Sequence, residues 1–592
     1  MPPKKRPSAK SSPQPKAKKQ KYALSADFPP PGRREGIKLE KWYQEVFAAV
    51  PMKKPQPLTP REKYLLRLSA QEYVEERKNG KVTCVEYTSL LVKRARYYRY
   101  MNQWIFRSYD LLDTAIKHAR ALDKVAKEKG LEAIAPLYGL PIPMKGTAAV
   151  IDYPSGCGVG LLSHYTPVKN SELTELIRGG NGIILGTTNV PEFACSVNTA
   201  NPASGQCRNP YNHAFSPGGS SGGSGSAVNM HMCPVAVSED TGGSTRVPAL
   251  FNGLFGFDPA RNHYPNEGNC GMSFTRDQIG VLCRSMEDVL FYDRMLMQTR
   301  HGADQLHQTA EASARDRDVS SITIACPELP WVRGPTRQLD DAMRKPYEAA
   351  KAALKAVTLK EVGWPGPDAE AQDGVLPLQT AQTSKVGGHT MHTYTGQIAQ
   401  FVFEYLQAPV SLQEIAEDTT ACGAHTPNHF YKNAACESET DYRYAMGPGI
   451  QDQVKRYNSL FDAEGLDFIL VPAAYNPTPD LAKALTRTMP AVDSKGEPAL
   501  SSMWESVYPI NDICKDIHIP KLSVPTGLTE DGRPTGIQLW GRAVAYEDMF
   551  QDDCSTRASI NFLHLAAKVV ELIHADPKLR RVPPAMVADL FG

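Results

Sequence analysis

The sequence predicts an α/β fold with helices covering both faces of a β-sheet, and three observations carry that prediction. Short apolar runs bounded by Gly or Pro recur at 136–146, 182–186, 466–472 and 535–541, with the length and punctuation of buried strands. Segments with helical periodicity and capping residues lie before and between them, the alternation that builds a covered sheet. Hydrophobic residues make up 41% of the 592-residue chain, enough for a substantial core.

The first helix starts are marked by capping chemistry. Thr59-Pro60-Arg61-Glu62 sets a capping hydroxyl ahead of a proline at the first helical position and a glutamate at the third. Ser69–Glu72 and Thr83–Glu86 have the spacing of capping boxes, and Asn79-Gly80 is a stop signal. From Leu90 to Val125 apolar positions recur with a helical period. The strand-like run 136–146 carries one lysine near its end, Lys145, and a helix over 171–178 precedes the strand at 182–186.

Two serine–glycine segments follow, 218–224 and 240–246, separated by an apolar stretch up to Val237 that reads as packed core. Glycine-serine stretches are commonly linkers, but the second of these runs straight into Val247-Pro248-Ala249-Leu250-Phe251. Serines on side-chain-poor loops anchored in core are placed to expose a nucleophile ringed by backbone N–H groups. Residues 365–460 contain no strand run and hold His389, His392, His425 and His429 without metal-ligand spacing; they read as a variable, mostly helical insertion.

Charge separates the N-terminus from the rest. Residues 1–21 hold eight Lys and Arg and no acid, although the whole chain is only +2. With no large apolar residue between Met1 and Tyr22, this tail buries too little to fold and is expected to be disordered over 1–35. Its Lys4-Lys5-Arg6 and Lys16-Ala17-Lys18-Lys19 clusters suit nuclear import machinery, or weak contact with nucleic acid. No apolar stretch follows the charges, so a secretory signal is not expected, and no run of about 18 apolar residues suggests a membrane span. Twelve cysteines scattered without a CxxC pattern fit reduced core thiols in a cytoplasmic or nuclear setting.

Lys145, Ser220 and Ser244, with the sequences around them, resemble the amidase signature family. The resemblance runs from about Ser69 to about Phe550 and also draws on 185–193, Asp277-Gln278-Ile279-Gly280 and 523–528. It implies one large domain on a central mixed β-sheet: a helical part over 36–130, the core over 131–575, and a C-terminal tail over 576–592. It further implies Ser244 as nucleophile, Ser220 as a proton-relaying serine on a cis peptide, and Lys145 as base. Thr241, Gly242 and Gly243 would offer N–H groups to an oxyanion, Ser221 would support the relay, and Asp240 and Arg246 would brace the loop. The implied reaction is hydrolysis of a small-molecule amide through an acyl-enzyme, with no metal and no cofactor. A serine needs an adjacent base at neutral pH, and a lysine serves only where its surroundings favour the neutral amine, as the neighbouring Ile142, Pro143 and Met144 would.

The chain departs from the family's pattern at three places. Gly146 stands where an Asp commonly follows the lysine, Ser238-Glu239 replaces Gly-Thr before Asp240, and Asp258-Pro259-Ala260 replaces a Lys-Pro-Thr segment. A carboxylate at 239 close to Lys145 would favour the ammonium and oppose its use as a base. Gly219-Ser220-Ser221-Gly222-Gly223 also satisfies GxSxG, but 212–217 does not read as the strand that motif requires. Two further readings stay open: a catalytically retired scaffold, and an amidotransferase-type subunit of the same family. The identity of the amide and the oligomeric state, a homodimer included, are left open by the sequence.

Overall fold

The computed structural model describes residues 54–201, 203–302, 304–327, 339–362, 393–417, 443, 445–481, 488–492, 498–502, 515–549 and 551–591. The basic tail, the four histidines of the insertion and much of 365–460 lie outside the described residues.

Ten strands frame the site: β1 Pro141–Lys145, β2 Ile183–Thr188, β3 Val235–Asp240, β4 Phe255–Asp258, β5 Gln278–Cys283, β6 Thr323–Pro327, β7 Thr358–Val362, β8 Phe468–Pro472, β9 Lys521–Leu528 and β10 Pro534–Trp540. Eight form one sheet in the order β3-β5-β4-β9-β10-β8-β6-β7. It is mixed: β8–β6 and β6–β7 pair in parallel and the other neighbours are antiparallel. β1 and β2 pair in parallel as a separate two-stranded sheet, Lys145 opposite Thr188. Every residue of β1, β2, β3 and β5 is buried. That burial on both faces explains why β1 and β2 read as apolar runs rather than alternating ones.

The helices begin where the capping chemistry places them. Thr59 and Ser69 each complete a capping box, with Glu62 and Glu72, for helices Pro60–Arg67 and Ala70–Lys78. Thr83 accepts from Glu86 N at the head of helix Cys84–Tyr97. These helices are tied to residues 231–288 by backbone groups. His231 Nδ1 donates to Leu66 O (2.8 Å), Arg284 Nη2 donates to Leu68 O (2.7 Å), and Ala70 N donates to Asp288 Oδ1 (2.6 Å).

The helical periodicity of 90–125 does not give one helix. The chain breaks after Tyr97 and resumes at Ser108–Leu111 and Asp113–Lys129. Asn102 takes a left-handed conformation (φ 54°), and 103–105 run extended beside β2. Trp104 is buried with its Nε1 donating to Leu185 O (2.7 Å), and Ile105 N donates to Thr187 O (3.0 Å). Tertiary pairing has overridden a periodicity that still records burial. At the other end, 576–591 fold back onto the core, with Leu579, Met586, Val587 and Leu590 buried.

Candidate active site

Lys145 is the last residue of β1 and is buried to 1% exposure. Its Nζ lies 2.8 Å from Ser220 Oγ, donates to the main-chain oxygen of Glu239 (3.1 Å), and sits 3.4 Å from Glu239 Oε2. The same Oε2 accepts from Thr147 Oγ1 (2.7 Å). The carboxylate that the sequence flagged is therefore in contact with the lysine, and is shared with a hydroxyl two residues along. Gly146 has a steric cause: a Cβ there would stand 2.5 Å from Thr188 O and 2.8 Å from Ile105 Cδ1.

The first serine–glycine segment is only partly a loop. Gly222–Asn229 is a fully buried helix with Ser221 at its N-cap position. The Gly219–Ser220 peptide is cis. A Cβ on residue 219 would lie 2.6–2.7 Å from backbone atoms of Ser196, Val197 and Asn198, so only glycine allows the segment to pass there. Thr199 holds its backbone, its Oγ1 donating to Gly218 O (2.9 Å) and accepting from Gly222 N (3.0 Å). Ser221 Oγ accepts from Glu239 N (3.3 Å), and Ser221 N donates to Ser244 O (3.3 Å). Those two bonds join the first segment to the second.

The second segment turns between β3 and helix Arg246–Phe251, and Asp240 organises it. The carboxylate accepts from Gly243 N (2.7 Å), Thr245 N (2.9 Å) and Arg246 N (3.3 Å), as well as from the Arg246 guanidinium. Gly243 N–H, expected at the oxyanion, is thus turned inward; Thr241, Gly242 and Ser244 N–H are not among the groups Asp240 holds. Thr241 Oγ1 donates to Asp277 Oδ1 (2.5 Å). Burial and the neighbouring Glu239 push the Asp277 carboxyl up to about 7.

Behind Asp240 lies a closed cluster of four charges, each fully buried. Lys515 Nζ is 3.0 Å from Asp258 Oδ2 and 3.2 Å from Asp240 Oδ1, and Arg246 contacts both carboxylates. Burial works to raise Asp240, yet Arg246 and Lys515 outweigh it and hold that carboxyl well below its ordinary range. Burial and Asp240 together raise Asp258. Asp258 stands where the resemblance expects a lysine, and Lys515 returns the missing cation from 257 positions away. Sequence reasoning does not single out Lys515, Thr147 or Thr199. Only the charge reversal at 258 hints that a partner must exist.

A cavity of 420 Å³ adjoins this arrangement, with Glu239 and Asp277 on one wall and Arg261, Phe274, Gln397 and Tyr405 among the rest of its lining. That volume suits a small organic ligand. Among the described residues no helix is long and apolar enough to cross a membrane.

The Amidase family model matches residues 90–549. The chain is 33% identical over 456 residues to a glutamyl-tRNA(Gln) amidotransferase component of Sulfurihydrogenibium sp., covering 73% of this chain and 88% of that one. It is 28% identical over 450 residues to mandelamide hydrolase of Pseudomonas putida, covering 72% and 79%. In structure it is similar to peptide amidase from Stenotrophomonas maltophilia (TM-score 0.66, 18% identity, 88% of this chain and 99% of that one). A bacterial aryl acylamidase gives a TM-score of 0.64 at 20% identity, covering 86% and 99%; at such identities these two report the fold alone. The matched residues include Lys145, both serine–glycine segments and the Asp277 strand: the chain belongs to the amidase signature family.

Proposed function

We propose that the protein hydrolyses a carboxylic amide, with Ser244 as nucleophile, Ser220 as proton relay and Lys145 as base. The observation that carries this reading is the buried contact of 2.8 Å between Lys145 Nζ and Ser220 Oγ, on a segment whose next residue is bonded to Ser244 O. The Ser244 hydroxyl attacks the amide carbonyl while its proton passes to Ser220 Oγ, whose own proton passes to Lys145. The C–O bond forms as the carbonyl π electrons move to oxygen, where the N–H groups of Thr241, Gly242 and Ser244 receive the negative charge. Each such donor is worth roughly 2.7–4 kcal/mol of barrier. Collapse expels the amine or ammonia, which takes the proton back along the same route. Water then reverses the sequence on the acyl-enzyme to release the acid.

The test is labelling with an activated fluorophosphonate, alongside ammonia release from aryl, fatty and small aliphatic amides. Ser244-dependent labelling and amide turnover are expected, both lost in Ser244→Ala. Ammonia release surviving that substitution would refute the mechanism. The relatives named as amidotransferase components favour a second reading, in which the chain works with partner subunits. Co-purification of stoichiometric partners with the native protein would favour it.

A further inference from the structure

The cavity beside the site is lined in part by the half-buried guanidinium of Arg261. Arg261 Nε and Nη1 are buried and have no hydrogen-bond partner among the described residues; the guanidinium lies over the face of Phe274, 4.8 Å from the ring centre. Burial lowers this guanidinium from its ordinary value, partly opposed by Asp277. Of the four acids that line the cavity, Glu172 is exposed and the other three are engaged elsewhere. Glu239 takes Thr147 and Lys145, Glu267 accepts from Tyr405 Oη (2.6 Å), and Asp277 accepts from Thr241, Met272 N and Ser273 N. The backbone just after Arg261 is fixed as well, because Arg300 Nη1 donates to Asn262 O (2.6 Å) and His263 O (2.7 Å). A half-buried guanidinium with two buried N–H groups that find no partner among the described residues is costly unless a ligand completes it, and it is best completed by a planar anion.

We infer that Arg261 anchors a carboxylate of the substrate, so that the amide cleaved at this site is a small one bearing a carboxylate away from the scissile group. This rests on the amidase reading above and adds the substrate class to it. The cavity links the two ends, since Glu239 and Asp277, which contact Lys145 and Thr241, line it together with Arg261. The anion sits on Arg261 while the amide carbonyl reaches the second serine–glycine segment.

The experiment compares the monoamides of succinic, glutaric and adipic acids with neutral alkyl amides of equal chain length. For at least one length, wild type is expected to favour the acid by about tenfold or more in kcat/KM, tenfold being about 1.4 kcal/mol. Arg261→Gln should erase that preference by raising KM for the acid at least about tenfold more than for the neutral amide, and Arg261→Lys should restore part of it. Equal turnover of the two classes by wild type, or an unchanged ratio in Arg261→Gln, overturns the inference while leaving amide hydrolysis intact. If no amide is turned over and Ser244 is unlabelled, the amidase reading fails on its own. Calorimetric titration with succinate, glutarate and adipate then decides the anchor separately. Binding by wild type that is lost in Arg261→Gln supports it, and absent or equal binding overturns it.

Discussion

Lys515→Met isolates the charge cluster that supports the second serine–glycine segment. The substitution leaves Asp240 and Asp258, both at 0% exposure, sharing Arg246, with Lys521 acting on Asp258 from further away. At 3.0 and 3.2 Å, an effective dielectric constant near 20 gives about 5 kcal/mol of attraction to each carboxylate. Desolvation of the lysine offsets most of this, and removing one partner of a buried pair typically costs about 3–5 kcal/mol net. The loss should depend on pH. Asp258 already lies above its ordinary value, and without Lys515 it rises further. A carboxyl raised on folding keeps its contribution at low pH and loses it as pH climbs through the folded value. The penalty should therefore be larger at pH 8 than at pH 5. Urea unfolding followed by tryptophan fluorescence at both pH values measures it. The double variant Lys515→Met/Asp258→Asn, which removes one charge of each sign, should recover about half of the loss or more. A cost under about 1 kcal/mol, a pH-independent cost, or a double variant no better than the single one would refute the reasoning.

Three further outcomes follow from the same geometry. Asp258→Lys, which restores the residue the family pattern expects, should destabilise the protein in the presence of Lys515 and be tolerated with Lys515→Met; melting curves of the three variants check this. Gly146→Asp should cost about 1–3 kcal/mol through overpacking, since its Cβ meets Thr188 O and Ile105; a wild-type melting temperature and Ser244 labelling rate would contradict it. Asp277, raised from 3.8 to about 7, holds in the folded state a proton that the unfolded chain has lost between those values. Stability should thus fall as pH rises from 5 to 8, and Asp277→Asn should flatten that slope in urea unfolding; parallel slopes would exclude it.

The local signals in the sequence translate closely into structure. The serine and threonine caps at 59, 69 and 83 sit one residue before the helices they predict, and the apolar runs at 182–186 and 466–472 overlap β2 and β8. What stayed hidden depends on distant contacts. The glycines of 222–225 read as loop, but they form a helix because Thr199, Asn189 and Gln103 approach where side chains would stand. The run 90–125 reads as one helix because burial is periodic throughout it, while the β2 edge extracts Trp104 from that pattern. Within the site, Lys145 and Ser220 are brought into contact as the family resemblance implied. Gly243 is not free in the way expected, because Asp240 claims its N–H. Lys515 had no signal at all, since a single lysine in a polar stretch gains meaning only when two buried carboxylates converge on it.

The contacts of Leu66, Leu68 and Ala70 with His231, Arg284 and Asp288 bear on where this protein can be cut. The family-model match begins at residue 90, yet the cooperative unit begins earlier, because a fragment starting there would strip His231 and Arg284 of buried acceptors and Asp288 of a donor. The outer helices are therefore part of what melts with the core, and a protease should not cut between residues 60 and 90 while the core stays folded. The boundary of the family-model match and the boundary of the folded unit are therefore different residues.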